Sequence, residues 1–195
     1  STYNLSKEYF LEIIDGMEMD LNFHRYENFK QLQLYCYRAA SVVGLLSARI
    51  FGFTNKDTLK YAHDLGIALQ LTNIIRDLGE DAHRGRIYVP LDLLDQFSLT
   101  EDDILSSKRN GKLTLLVKHL GDQANDFYRS AMRRLPKEDV RKQLPGLIMG
   151  NIYYALLRKV VSNEPDNILN ISTGLSPIKK ILVATTTFFG MSWIK

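Results

Sequence analysis

The stretch GIALQLTNIIRDLGEDAHRGRIYVP, residues 66–90, constrains this chain more than any other. Within it Asn73, Asp77 and Asp81 recur at four-residue steps. On a helix such positions lie nearly above one another, so one face presents an amide and two carboxylates in a column. Leu71, Ile74, Ile75 and Leu78 give the rest of that helix an apolar side to bury. Two carboxylates on one face repel unless a positive charge sits over them. Hard oxygen donors of this kind suit Mg²⁺, which is held by one or two carboxylates together with substrate phosphates. A lone DxxxD is more often a solvated acidic edge. Here Gln70 precedes the column, Arg76 lies within it and Arg84-Gly85-Arg86 comes directly after it. Ligands for a metal thus run directly into cations and a glycine suited to phosphate.

The chain has 195 residues, 45% hydrophobic and 24% charged, an ordinary composition for one domain over 1–195 with a sizeable core. A net charge of +3, evenly spread, gives no basic patch for nucleic acid. The single cysteine, Cys36, rules out an internal disulfide and fits a reducing compartment. No run of eighteen apolar residues occurs, so no conventional transmembrane helix is expected. The expected location is cytoplasmic.

Helical periodicity runs through the chain. Residues 6–20 read as a helix capped by Ser6, with Tyr9, Phe10, Ile13, Ile14 and Met17 on one face. Gly16 inside it costs about 1 kcal/mol relative to alanine, which close approach of a neighbour would explain. Asp20 either faces a cavity or caps the segment after it, and His24 reads as a surface residue. Residues 28–51 read as one long helix whose middle, Ala39, Ala40, Ser41 and Gly44, is very small. A further helix, capped by Thr54 or Asn55, runs to about Asp81 and carries the column. Arg76 would bind diphosphate or pair with Glu80. Residues 82–90 read as a loop or flap in which Arg84, Arg86 and Tyr88 close over an anion. Thr100 and Asp103 match a capping box. Helices are expected over 111–134, 138–162 and 178–193. The last has Lys179, Lys180 and Lys195 among apolar residues, and packs on the bundle or touches a membrane surface. The fold class is all-α, a helical bundle around a central cavity.

LQLTNIIRDLGEDAHRGRIYVP closely resembles the second aspartate-rich motif of the squalene/phytoene synthase family, head-to-head prenyl transferases of the all-α isoprenoid synthase fold. GMEMDL at 16–21 and YCYRAASVVG at 35–44 resemble two further family segments in the right order. The family's first aspartate-rich motif lies on a helix well before the GMxMD segment, and only fifteen residues precede Gly16. The chain is therefore expected to be an N-terminally incomplete bundle holding half of the metal machinery, inactive alone, exposing apolar surface and open to self-association.

The resemblance implies Mg²⁺ held by Asn73, Asp77 and Asp81, and prenyl diphosphate bound by Gln70, Arg84, Arg86 and Tyr88. It also implies catalytic roles for Tyr35, Arg76 and Tyr153, with Tyr35 facing the reaction centre and Tyr153 lining the pocket. The reaction implied is condensation of two farnesyl diphosphates to presqualene diphosphate or squalene, most like the bacterial presqualene diphosphate synthases of hopanoid pathways. Phytoene synthesis from geranylgeranyl diphosphate is the near alternative, and a non-catalytic scaffold or assembly factor of the same fold is the other. Ser41 stands where the family usually has glycine and Ala39 where it often has valine, which leaves chain-length preference open. No nicotinamide fingerprint supports a reductive second step.

Overall fold

The computed structural model describes residues 3, 5–22, 24–106, 111–162, 169 and 173–194; Lys195 lies outside them. Among the described residues the helical periodicity becomes ten α-helices and no strand. In order they are α1 (Lys7–Asn22), α2 (Phe29–Cys36), α3 (Val42–Phe51), α4 (Asp57–Arg76), α5 (Leu78–His83), α6 (Leu91–Gln96), α7 (Glu101–Leu105), α8 (Gly111–Arg134), α9 (Leu144–Ser162) and α10 (Pro177–Phe188). A π-helical turn, Tyr37–Ser41, joins α2 to α3.

Helix α4 is the axis of the bundle. It packs against α8, α3, α9 and the π-helical turn, with α8 its largest neighbour. Apolar or small residues occupy nearly every side of it, from Ala62, Leu65 and Gly66 to Ile74 and Ile75, as a helix buried on several faces requires. A hydroxyl pair, Thr72 Oγ1 and Tyr128 Oη at 2.9 Å, ties α4 to α8 inside this apolar contact. At the other side α4 meets the π-helical turn at Gly66, where a Cβ would fall 2.4 Å from Ser41 Cα. Ser41 Oγ donates to the His63 carbonyl at 2.7 Å across the same crossing. Gly16 of α1 presses on the turn from outside, a Cβ there meeting Arg38 Cβ at 2.9 Å. The close approach expected at Gly16 is thus real.

Several expected boundaries shift, each for a local reason. The 28–51 helix contains a π-helical turn, a wide turn that changes which side chains share a face. The helix expected to reach Asp81 breaks at Asp77 (φ −96°, ψ 8°), and α5 begins one residue later. The helix expected from 138 starts at Leu144, because Asp139 is committed elsewhere. Its fully buried carboxylate accepts from Thr54 N at 2.7 Å, Asn55 N at 2.9 Å and Thr58 Oγ1 at 2.7 Å, fastening the turn into α4. Neither Thr54 nor Asn55 is the N-cap of α4, which is Lys56 with no side-chain capping bond; Asn55 Oδ1 accepts from Asp57 N at 3.0 Å just ahead of the first turn. The last helix ends at Phe188 rather than Trp193, since Asn151 Oδ1 captures the backbone N–H groups of Trp193 and Ile194. The capping box at Thr100 and Asp103 is present, and His24 is exposed.

Exposed apolar residues occur along much of the chain, among them Val43 and Ile50 of α3 and Met149 of α9, and they are most numerous on α1 and α10. Phe10, Ile14, Met17 and Leu21 of α1 form an outward stripe, 47–71% exposed, so Phe10, Ile14 and Met17 of the five-residue face expected to pack inward are turned to solvent. Helix α10 buries Val183 and Thr187 against the bundle and turns Ile178, Ile181, Leu182 and Phe188 outward. No described helix is long and apolar enough to cross a membrane.

Candidate active site

The column survives the helix break because its hydrogen bonds continue through it. Asp77 N donates to Asn73 O and Asp81 N donates to Asp77 O, both at 2.8 Å. Asn73 Nδ2 reaches Gln70 Oε1 at 3.4 Å, while Asn73 Oδ1 is buried with no partner. An unpaired buried carbonyl oxygen costs free energy, and a cation over it would remove that cost. Burial, and then the neighbouring charge of Asp77, push the Asp81 carboxyl up to about 6. Among the described residues no three His, Cys, Asp or Glu side chains stand together to hold a metal. A cation here would draw on one amide oxygen, two carboxylates and the oxygens of a bound substrate, a donor set that fits Mg²⁺.

Cations flank the column. Arg76 pairs with Asp77 at 2.7 and 2.5 Å through two nitrogens, not with Glu80, because Asp77 breaks the helix and turns back toward it. Glu80 pairs instead with Arg84 at 2.6 Å on the exposed side. The 82–90 segment is tied down rather than free to swing as a flap. Arg86 N donates to Asp81 O, Ile87 N to His24 O and Arg25 Nη1 to Gly85 O. Ile87, Tyr88 and Val89 are buried. Gly85, at φ +74°, supplies the tight turn.

Asp20 organises the next layer. Its carboxylate accepts from Tyr35 Oη at 3.1 Å, from Tyr88 Oη, and from Arg86 Nη1 at 3.2 Å. The rings of Tyr26, Tyr35 and Tyr88 pack with centroids 5.4–5.9 Å apart beneath it. Burial and the Asp20 charge raise Tyr88 to about 12 and Tyr35 further, so both phenols stay protonated as donors. Arg86 is therefore held in place by a carboxylate that two phenols fix.

A cavity of about 420 Å³ opens beside the column. It runs between α3, α4 and α9, with Gln70, Asn73 and Tyr153 at one end and Phe51, Tyr61 and Gln143 at the other. Its walls are small or aliphatic: Ala39, Ala40, Val43, Gly44, Leu65 and Leu69. An apolar trough thus ends at a polar rim, the amides of Gln70 and Asn73 and the hydroxyl of Tyr153, with Arg76 beside Tyr153 and the carboxylates of the column beyond Asn73, a layout suited to an elongated apolar ligand with a polar head.

The sequence matches the profile of the squalene/phytoene synthase family over residues 1–179. The chain belongs to that family. It is 39% identical over 162 residues to a presqualene diphosphate synthase of Rhodopseudomonas palustris, covering 83% of this chain and 58% of that protein. It is 33% identical over 208 residues to a 15-cis-phytoene synthase of Synechocystis, covering 100% and 59%. Among solved structures it resembles squalene synthase HpnC of Alicyclobacillus acidocaldarius, with TM-score 0.72, 29% identity and coverage of 83% and 63%. The chain spans between 39% and 59% of the length of the curated relatives it matches.

Within the squalene/phytoene synthase fold the expected site residues divide. Gln70, Asn73 and Tyr153 line one end of the cavity, and Arg76 stands beside Tyr153. Asp77, Asp81, Arg86 and Tyr88 do not line the cavity; they form a group of their own beyond Asn73, joined to it through the backbone bond from Asp77 N to Asn73 O. Arg84 lies outermost, 63% exposed. Tyr35 is buried in the Asp20 cluster, whereas Ala39 and Ala40, past the start of the π-helical turn, line the cavity. The Tyr35 hydroxyl serves Asp20. Sequence reasoning leaves Asp20 undecided and assigns Tyr26 no role. The GMEMDL segment around Asp20 is the available signal, since an acid closing a mostly apolar helix face needs a cationic partner.

Proposed function

We propose that this chain supplies the diphosphate-gripping half of a Mg²⁺-dependent enzyme that joins two farnesyl diphosphates head to head, giving presqualene diphosphate. One observation carries the proposal: an unpartnered amide oxygen in register with two carboxylates, at the mouth of an apolar cavity. Asn73, Asp77 and Asp81 would hold the metal, which when bound offsets the charge of the departing diphosphate. Arg86, oriented by Asp20, and Arg76 bind the diphosphate oxygens, guanidinium being suited to paired contacts with phosphate. Gln70 orients the same head group, Tyr88 acts on it through Asp20 and Arg86, and Arg84 adds positive potential from the outer edge. Tyr153 presents its ring and hydroxyl where the allylic cation develops. Leu65, Leu69 and the alanines would surround that cation with apolar wall and limit its contact with water.

The C20 alternative, phytoene synthesis, draws on the relatives named phytoene synthase. A scaffold without chemistry has no use for an aligned column and a braced arginine, so the enzyme is the better-supported reading. Peripheral membrane contact would use the outward face of α10, whose Lys179 and Lys180 sit among apolar residues facing solvent. Co-sedimentation with anionic vesicles reads it, and self-association through exposed apolar faces would show as a mass above the monomer instead.

Calorimetric titration of the full-length protein with farnesyl thiodiphosphate, an analogue that does not ionise, tests the site. Binding is expected to require Mg²⁺ and to weaken as pH falls through about 6, because protonated Asp81 is no longer a metal ligand. Equal binding with and without Mg²⁺, or a flat pH profile from 5 to 8, would remove the metal from this column.

A further inference from the structure

Tyr61 is 1% exposed, and its hydroxyl is buried without a hydrogen-bond partner. Such a group is costly, and a phenylalanine would avoid the cost. The residue lies at the cavity end opposite the polar rim. Its hydroxyl reaches across from α4 to α9, so that a Cβ built on Gly146 would lie 3.1 Å from it. Gln143, which shares this end, donates to the Gly52 carbonyl at 2.9 Å and so is committed elsewhere. The walls between rim and Tyr61 offer small aliphatic side chains that do not obstruct a chain.

We propose that Tyr61 is the end-stop of the cavity and sets the length of hydrocarbon it accepts. The inference rests on the reading of the cavity as a prenyl-chain site and adds the residue that limits it. Tyr61 precedes Asn73 by twelve positions, about 18 Å along a helix at ~1.5 Å per residue. At about 1.5 Å per bond, the four main-chain bonds of an isoprene unit span roughly 5 Å when extended. Three units, roughly 15 Å, fit between the rim and the ring; four, roughly 20 Å, meet the ring. The phenol bridges two helices as a bar across the trough, and Phe51 flanks it on the α3 side.

The test compares Mg²⁺-dependent binding of farnesyl and geranylgeranyl thiodiphosphates to the full-length protein and its variants. The wild type is expected to favour the C15 analogue by about tenfold or more, the scale on which a pocket discriminates by hydrocarbon size. Tyr61→Ala is expected to shift the C20-to-C15 affinity ratio at least tenfold toward C20. Tyr61→Phe should keep the wild-type ratio, because the ring sets the length, with an equal or higher melting temperature. Tyr61→Trp works in the opposite direction and covers the case in which Tyr61→Ala does not fold: it should weaken the C15 analogue while sparing geranyl thiodiphosphate. An unchanged ratio in folded Tyr61→Ala, or undiminished C15 binding in folded Tyr61→Trp, with the wild type binding normally, would overturn the end-stop and leave the site intact. A wild type that binds no prenyl analogue would overturn both.

Discussion

Asp77→Ala in the full-length protein is expected to lower turnover by roughly 10³-fold or more, the scale of losing a pre-organised electrostatic contact at a reacting centre. Asp77 is the middle member of the column, bonded through its backbone to Asn73 on one side and Asp81 on the other. Its carboxylate also receives both arms of Arg76. Alanine therefore removes a proposed metal ligand and releases the guanidinium that the carboxylate aims. The fold has little to lose, since the Asp77–Arg76 pair is about a quarter exposed and such a pair contributes at most about 1 kcal/mol. The melting temperature should move by no more than about 4 °C. Asp77→Asn, which keeps the shape and loses the charge, should lie close to alanine. Near-wild-type turnover in Asp77→Ala would take this residue out of the metal site.

Asp139→Ala is expected to act oppositely, with a large loss of stability and no direct effect on chemistry. The side chain is fully buried and accepts two backbone N–H groups and one hydroxyl, with Lys142 at 3.7 Å. Removing it strands three donors at the entry to α4, a loss of about 3–5 kcal/mol. That corresponds to a fall of about 10 °C or more in melting temperature. These hydrogen bonds hold its carboxyl down to about 2. Its contribution is therefore in force above the ordinary carboxylate range and is lost as pH falls through about 2. Thermal melts of Asp139→Ala and wild type at neutral pH read the effect directly. A variant melting within about 2 °C of wild type would mean that these bonds carry little of the stability.

Much of this was legible because it is local. The four-residue spacing of Asn73, Asp77 and Asp81 depends only on helical hydrogen bonding, and that bonding persists through the kink at Asp77. The capping box at Thr100 and the turn at Gly85 are equally short-range. The meeting points of distant segments could not be read in the same way. The partner of Arg76 depends on the backbone angles of Asp77, not on i,i+4 spacing. The pinning of 82–90 depends on contacts to His24 and Arg25, some sixty residues earlier. Tyr35 belongs to the Asp20 cluster rather than the cavity wall, and the π-helical turn just after it is clasped between Gly16 and Gly66, which lie fifty residues apart. Small residues announce that something approaches closely; they do not announce its identity.

The most direct test of the central claim is the product formed when the full-length protein is incubated with Mg²⁺ and farnesyl diphosphate or geranylgeranyl diphosphate, identified by mass after removal of phosphate. The account predicts a C30 presqualene skeleton from farnesyl diphosphate, lost in Asp77→Ala. A C40 product from geranylgeranyl diphosphate alone, or no condensation with either substrate, would contradict it.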